Sequence, residues 1–314
     1  MTDFKHVAVV GAGVIGASWA ALFLASGRSV AVYDVSPDVE RFVRTYIERA
    51  WPTLQELGMV KSDTKSLTFH KSAADAVQGA NFVQESVPER IEIKHALFRE
   101  IEGALSSDVV VATSASGLTL SEMQVGWKNP SRFVLGHPFN PPHLIPLVEV
   151  MGNSRTTDGV VELAEHFYES VGKVTIRLHR EVAGHVANRL QAALWREAIH
   201  LIKTGVASVE DVDKAVWAGP GLRWAAMGPN MLFNLAAGEG GLASYCERYM
   251  DSYNRWWDDL GDLHFSPEVV QLLVSGVQAE AKGESQEILT KRRDALVVAM
   301  LKSMAPLRGN SARE

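Results

Sequence analysis

The run His6-Val-Ala-Val-Val10, the glycine turn Gly11-Ala-Gly-Val-Ile-Gly16 and the uncharged run Ala17-Ser-Trp-Ala-Ala-Leu-Phe-Leu-Ala25 leave this chain few choices. A β-branched run, a glycine turn and an apolar helical run make a strand-turn-helix unit. In such a unit Gly11 permits the tight turn, Gly13 lets a pyrophosphate approach the backbone, and Gly16 allows close helix-strand packing. The backbone of Ala12, Val14 and Ile15 completes the turn, with the phosphate on the helix N-terminus. A second β-branched run, Ser29-Val-Ala-Val-Tyr-Asp34, ends in a carboxylate where a ribose 2'-hydroxyl needs an acceptor. Asp34 would repel a 2'-phosphate, so the expected cofactor is NAD rather than NADP. The alternative is a packing turn that tolerates glycine and holds no ligand.

With 314 residues, 46% of them hydrophobic, the chain has enough apolar content for two soluble domains with their own cores. Net charge is -6 and no basic run would track a phosphate backbone, which argues against nucleic acid as a partner. Cys246 is the only cysteine, so there is no internal disulfide, and a reducing compartment fits. The first strand begins almost at Met1, leaving no room for a signal peptide. The apolar helical run near Val14 to Ser26 is too short to span a bilayer. The expectation is a cytoplasmic protein with no membrane partner.

Further along, Ser36-Pro37-Asp38 reads as a helix start with Pro at the first helical position, followed by a helix to about Leu57. Leu67–Phe69 is a short strand, Ser72 to Val77 a short helix, and Asn81–Gln84 another strand, after which come Glu85-Ser-Val-Pro-Glu89. Ligands of an open parallel sheet bind outside the carboxyl ends of its strands, which places these residues on the cofactor side. Glu89 is therefore either a cofactor contact or a first-turn helix acid. For Lys94 an exposed helix lysine is the ordinary outcome. The apolar strand Asp108–Ala112 runs into Thr113-Ser-Ala-Ser116-Gly, whose hydroxyls are candidate caps for a helix near Leu120.

Arg132-Phe-Val-Leu-Gly136 leads into His137-Pro-Phe-Asn140-Pro-Pro, where the prolines set a turn with His137 at its edge. Glu149 lies inside the apolar strand Pro146–Met151, where a buried carboxylate needs a partner. The spacing allows the chain to return beside His137. In a His-Glu pair the carboxylate fixes the imidazole tautomer and leaves the other nitrogen to take a proton from an alcohol. No His/Cys cluster has zinc spacing, so no metal is expected.

A helix from about Asp158 to Val171 and a strand Val174–Leu178 complete a first domain, residues 1–181. Residues 182–314 read as helices. The first, Ala183 to Lys203, carries two stripes, through Val186, Leu190, Leu194 and Leu201 and through Asn188, Ala192, Trp195 and Ile199. Such a helix is expected to be central and buried between domains or subunits. Asn188 then falls near its start, as a substrate contact or as a helix-end hydrogen-bonding residue.

Taken together, Gly11 to Trp19, Gln84 to Lys94, His137 to Val150 and Gly221 to Ala225 make the chain resemble the 3-hydroxyacyl-CoA dehydrogenase superfamily over its full length. The likeness is greatest to its branch of L-carnitine dehydrogenases and lambda-crystallin/L-gulonate 3-dehydrogenases. It implies an α/β fold: a Rossmann-type, doubly wound, mainly parallel sheet followed by an all-α C-terminal domain. It also implies catalytic roles for Ser116, His137, Glu149 and Asn188, cofactor contacts at Glu89 and Lys94, and a homodimer. The loop Gly219-Pro-Gly-Leu-Arg223-Trp224 departs from the thioester enzymes by carrying an arginine, whose fork suits the carboxylate of a free acid. Otherwise Arg223 stacks on Trp224 at the surface. Arg223, Trp224 and Asn140 are thus the substrate candidates, and the expected reaction is NAD-dependent oxidation of a small L-3-hydroxy acid, carnitine-like or gulonate-like. The alternatives are L-3-hydroxyacyl-CoA oxidation and a structural protein that binds NAD without turnover.

Overall fold

The β-branched runs pair into one eight-stranded sheet. In the computed structural model, which describes residues 4–309, the strands are β1 (His6–Val10), β2 (Ser29–Tyr33), β3 (Leu67–Phe69), β4 (Phe82–Glu85), β5 (Val110–Thr113), β6 (Phe133–Pro138), β7 (Leu147–Met151) and β8 (Val174–Arg177). Their spatial order is β3-β2-β1-β4-β5-β6-β7-β8. All neighbours run parallel except β6 and β7, which pair antiparallel. The order reverses between β1 and β4, and there the connections leave onto opposite faces, the helix after β1 on one and the helix after β4 on the other, which opens a crevice at the carboxyl edge.

Seven helices connect the strands or follow them: α1 (Val14–Ala25), α2 (Val39–Glu56), α3 (Ala73–Val77), α4 (Ile91–Ile101), α5 (Leu120–Gln124), α6 (Val160–Ser170) and α7 (Ala187–Lys203). Alternate residues of the strands feed two separate cores. Val7, Val9, Phe82, Val110 and Val148 pack with Trp19, Phe23, Leu54 and Phe167 from α1, α2 and α6 on one face. Ala8, Val10, Val83 and Val111 pack with Val77, Phe98, Met123 and Trp127 on the other. This two-sided burial explains why the strands read as continuous apolar runs.

The helical part continues as α8 (Val209–Ala218), α9 (Pro220–Ala226), α10 (Pro229–Ala236), α11 (Gly241–Asp259), α12 (Pro267–Ala281) and α13 (Gln286–Gly309). Among the described residues the chain divides within α7. One compact unit runs to Arg189 and takes in Val297–Lys302; the other comprises Leu190–Leu296 and the residues from Ser303. No helix among the described residues is long and apolar enough to cross a membrane.

The α/β class and the helical second half agree with expectation, and local boundaries differ for identifiable reasons. Pro37 precedes α2 rather than opening it: Ser36 donates its backbone N–H to Asp34 and accepts one from Val39, so the turn uses up these residues and Asp38 sits at the cap. The cap of α5 is Thr119, whose side chain exchanges hydrogen bonds with Glu122 in a capping box, and not one of the hydroxyls at the end of β5. The helix expected from Ala183 begins at Ala187, because Gly184 and His185 both have positive φ, 74° and 53°. Within the single chain the apolar stripes of α7 are largely open. Val186, Leu190, Leu194 and Trp195 are exposed and Ile199 is its buried residue.

Candidate active site

The glycine turn has the backbone that its sequence requires. Gly11 takes φ 85°, and a Cβ there would meet the Val87 nitrogen at 2.5 Å. A Cβ on Gly16 would run into the Gly11 carbonyl and press on Val9. Gly13 is different, because nothing lies within 4 Å of its missing Cβ. That open side, at the N-cap of α1 where no side chain caps the helix amides, fits a pyrophosphate approaching bare N–H groups. Asp34 stands directly after β2. Its Oδ2 accepts the Ala12 N–H at 2.7 Å and its Oδ1 the Ser36 N–H at 2.9 Å. The carboxylate is thereby fixed beside the turn, with lone pairs left for ribose hydroxyls.

Glu89 is not in the first turn of α4, because Arg90 is the cap and the helix starts at Ile91. Its Oε1 instead accepts the backbone N–H groups of Ser116, Gly117 and Leu118 at 3.2, 2.8 and 2.8 Å. The acid therefore clamps the loop that carries Ser116. Lys94 corrects the expectation of an exposed helix lysine. It is 1% exposed, and its Nζ donates to both oxygens of the equally buried Glu85 at 2.8 and 2.9 Å. Thr113 and the Val87 N–H supply further bonds to that carboxylate. This ammonium is already committed to an internal ion pair below the turn. The partner was hard to see in the sequence because Glu85 ends an apolar strand, where a polar residue reads as exposed.

The antiparallel pairing of β6 with β7 brings His137 and Glu149 together. His137 lies inside β6 rather than at the edge of the turn, directly opposite Glu149 in the antiparallel register. Nδ1 of His137 and Oε2 of Glu149 are 2.7 Å apart, and both residues are buried. The other carboxylate oxygen accepts the N–H groups of Val186 and Ala187, each at 2.9 Å. Burial pushes the Glu149 carboxyl up, but the hydrogen bonds from His137, Ala187 and Val186 outweigh it and hold the group below the usual carboxylate range. An ionised Glu149 requires the proton on Nδ1, which leaves Nε2 of a neutral His137 as a lone-pair base.

Ser116 is half-buried in its clamped loop, and Asn188 is half-buried in the first turn of α7. Asn140 is exposed after β6, followed by a cis Asn140–Pro141 bond. Its loop is tied down from behind: Ser18 of α1 bonds His143 at 2.8 Å, and the buried Lys173 ammonium reaches the Pro142 and Ile145 carbonyls. A chain of bonds from the buried Tyr168 through Gln84 to the half-buried Ser114 and Ser86 supports the ends of β4 and β5. None of these supports was singled out from the sequence. Arg223 and Trp224 lie on α9 of the second unit and are exposed, and no cation-π contact joins them among the described residues. No group of three His, Cys, Asp or Glu among the described residues is arranged to hold a metal.

Comparison with known proteins identifies the family. The model of the 3-hydroxyacyl-CoA dehydrogenase NAD binding domain matches residues 6–182, and that of the C-terminal domain matches residues 184–266. An L-carnitine dehydrogenase of Streptomyces coelicolor is 45% identical over 306 residues, 97% of this chain and 96% of the relative. Another, from Oceanobacillus iheyensis, is 40% identical over 298 residues, with coverages of 95% and 97%. A solved structure described as 5-formyl-3-hydroxy-2-methylpyridine 4-carboxylic acid 5-dehydrogenase, an NAD+-dependent dismutase, superposes with a TM-score of 0.82 at 29% identity. It covers 96% of this chain and 99% of its own. With both domain models matched in order along a Rossmann crevice that suits a dinucleotide, the chain belongs to the 3-hydroxyacyl-CoA dehydrogenase family and is an NAD-dependent oxidoreductase acting on a CH–OH group.

Proposed function

We propose that this chain oxidises the 3-hydroxyl of a small free L-3-hydroxy acid, with L-carnitine as the substrate, to the 3-oxo acid. The observation that carries the chemistry is the buried His137–Glu149 pair at 2.7 Å. Nε2 of His137 takes the hydroxyl proton while Nδ1–H keeps its bond to Glu149. The substrate C–H bond breaks with its electron pair, and a carbon-oxygen double bond forms. NAD, when bound, supplies the acceptor for that hydride. The imidazolium left on His137 lies against an ionised carboxylate, so Glu149 stabilises it without taking the proton. Ser116, on the loop clamped by Glu89, orients the substrate oxygen; Asn188 and Asn140 are further substrate contacts. The cofactor contacts are the turn from Gly11 to Gly16, Asp34 and Glu89, with Lys94 acting indirectly through Glu85.

Near full-length similarity to L-carnitine dehydrogenases supports carnitine over a gulonate-like acid and over an acyl-CoA. Arg223 has no ion-pair partner among the described residues, as suits a guanidinium that receives a substrate carboxylate. Exposed aromatic faces, Trp224 among them, suit a quaternary ammonium. The exposed Trp195, Trp217, Trp256 and Trp257 of the second unit also support a homodimer that covers apolar surface. Sedimentation at micromolar protein checks this, a dimer supporting it and a monomer contradicting it.

The test of substrate is the initial rate of NADH formation with NAD, and then of NADPH formation with NADP, from L-carnitine, D-carnitine, L-gulonate and L-3-hydroxybutyryl-CoA. Turnover of L-carnitine with NAD above all other combinations is the expected result. Preference for the thioester, or no turnover of any of them, overturns the assignment.

A further inference from the structure

A second buried imidazole, that of His185, lies beside the proposed base. His185 takes φ 53°, the left-handed region that few side chains other than Asn, Asp and His enter. It is 2% exposed. Its Nε2 lies 3.1 Å from the carbonyl oxygen of Ala115, and since a carbonyl only accepts, Nε2 carries the proton. Nδ1 is buried and has no hydrogen-bond partner among the described residues. The ring packs against that of His137, with centroids 5.1 Å apart and planes at 55°. Burial pushes this imidazole below its ordinary range and the nearby His137 adds to the effect, while the Ala115 bond and the carboxylates of Glu149 and Glu89 oppose it. The ring is accordingly neutral, as its single donated bond requires.

Three connections meet at this residue. Ala115 immediately precedes Ser116, the ring touches His137, and the backbone continues directly into the two amides that bind Glu149. We propose that His185 is a positioning residue: its left-handed backbone aims the Val186 and Ala187 amides at Glu149, and its imidazole ties that turn to the Ser116 loop and braces His137. A glycine would satisfy the backbone alone; the donor and the ring are what hold the loop and the base at fixed spacing. The proposal rests on the roles assigned above to Ser116, His137 and Glu149.

Full-length His185→Phe, His185→Asn and His185→Gly separate these contributions. Phe keeps a ring but has no donor for Ala115 and enters the left-handed region less readily, so the comparison of Asn with Gly isolates the donor. Asn tolerates the left-handed region and keeps an N–H donor, and Gly keeps only the backbone freedom. With rates expressed per NAD-binding site, His185→Phe should lower kcat by about tenfold to a hundredfold, the scale of a displacement of catalytic groups by about 1 Å. KM for L-carnitine and Kd for NAD should stay within about threefold of wild type, and Asn should recover several-fold of the loss. A purely structural residue would lower Tm and the number of binding sites without moving kcat per site. Wild-type kcat in the Phe variant overturns the proposal, as does an Asn variant no faster than Phe. If the Phe variant does not fold, Asn faster than Gly supports it and equal rates overturn it. His137→Gln measured alongside tells the two levels apart. Wild-type turnover there removes the base itself, whereas a slow His137→Gln beside a fully active His185→Phe removes only the positioning role.

Discussion

Glu149 is the cross-strand partner of His137 where the sheet changes from parallel to antiparallel, and one of its oxygens binds the imidazole while the other is held by the amides of Val186 and Ala187. This divided coordination makes the carboxylate a fixed reference for the ring. Glu149→Gln retains the shape but presents an amide that no longer carries charge and is free to turn its NH2 group toward Nδ1. Turnover should fall by about 10² to 10⁴, the range for a disabled general base. NAD affinity measured by fluorescence titration should be unchanged, and a Gln variant turning over at the wild-type rate would remove Glu149 from the mechanism.

Lys94 and Glu85 form a buried pair whose loss is a matter of stability before it is one of cofactor affinity. Lys94→Met strands a carboxylate in the interior, which costs about 3–5 kcal/mol. Chemical denaturation should register that loss. The double variant Lys94→Met with Glu85→Leu should regain most of it, since no charge remains unpaired. Full stability of the single variant would contradict the account.

Lys173 gives a dependence on pH. Complete burial pushes its amine down to about 7 from an ordinary 10.5. Between those values the unfolded chain binds a proton that the folded chain has released, so stability rises with pH across that window. The Tm of the wild type should therefore climb relative to that of Lys173→Met between pH 7 and 9. A constant difference would show that the buried amine keeps its proton throughout.

Arg223 carries the proposed choice between a free acid and a thioester. Removing a charge-assisted bond to the substrate carboxylate costs about 1.5–3 kcal/mol, or roughly 10- to 150-fold in kcat/KM. Arg223→Ala should lose that much on L-carnitine with NAD binding intact, and Lys should rescue only in part. Discrimination against the uncharged methyl ester should shrink in the Ala variant. Full retention of that discrimination would mean that the carboxylate is read elsewhere.

The parts of the site legible in the sequence are those where a residue conflicts with its local pattern. Glycines at Gly11 and Gly16 interrupt a strand-helix passage only if something must come close, and here the Gly11 carbonyl and the β4 end do. Glu149 stands out as a charge inside an apolar strand. Lys94 shares a face of α4 with Leu97, Phe98 and Ile101 and is likewise a charge on an apolar stripe, but nothing in the spacing names its partner Glu85, which ends an apolar strand. His185 is hidden for a similar reason: its meaning lies in a backbone angle and in contacts to residues 115 and 137, far from it in sequence. The early start predicted for α7 fails. Apolar periodicity does not register two left-handed residues, nor whether a single chain covers its own apolar stripe.

The most direct measurement of the central claim is the initial rate of NADH formation from L-carnitine by wild type and by His137→Gln at matched NAD saturation. The account predicts steady turnover by the wild type and a kcat lower by about 10² to 10⁴ in the variant, with the same Kd for NAD. A variant as fast as the wild type, or a wild type that binds NAD and leaves L-carnitine unoxidised, would contradict it.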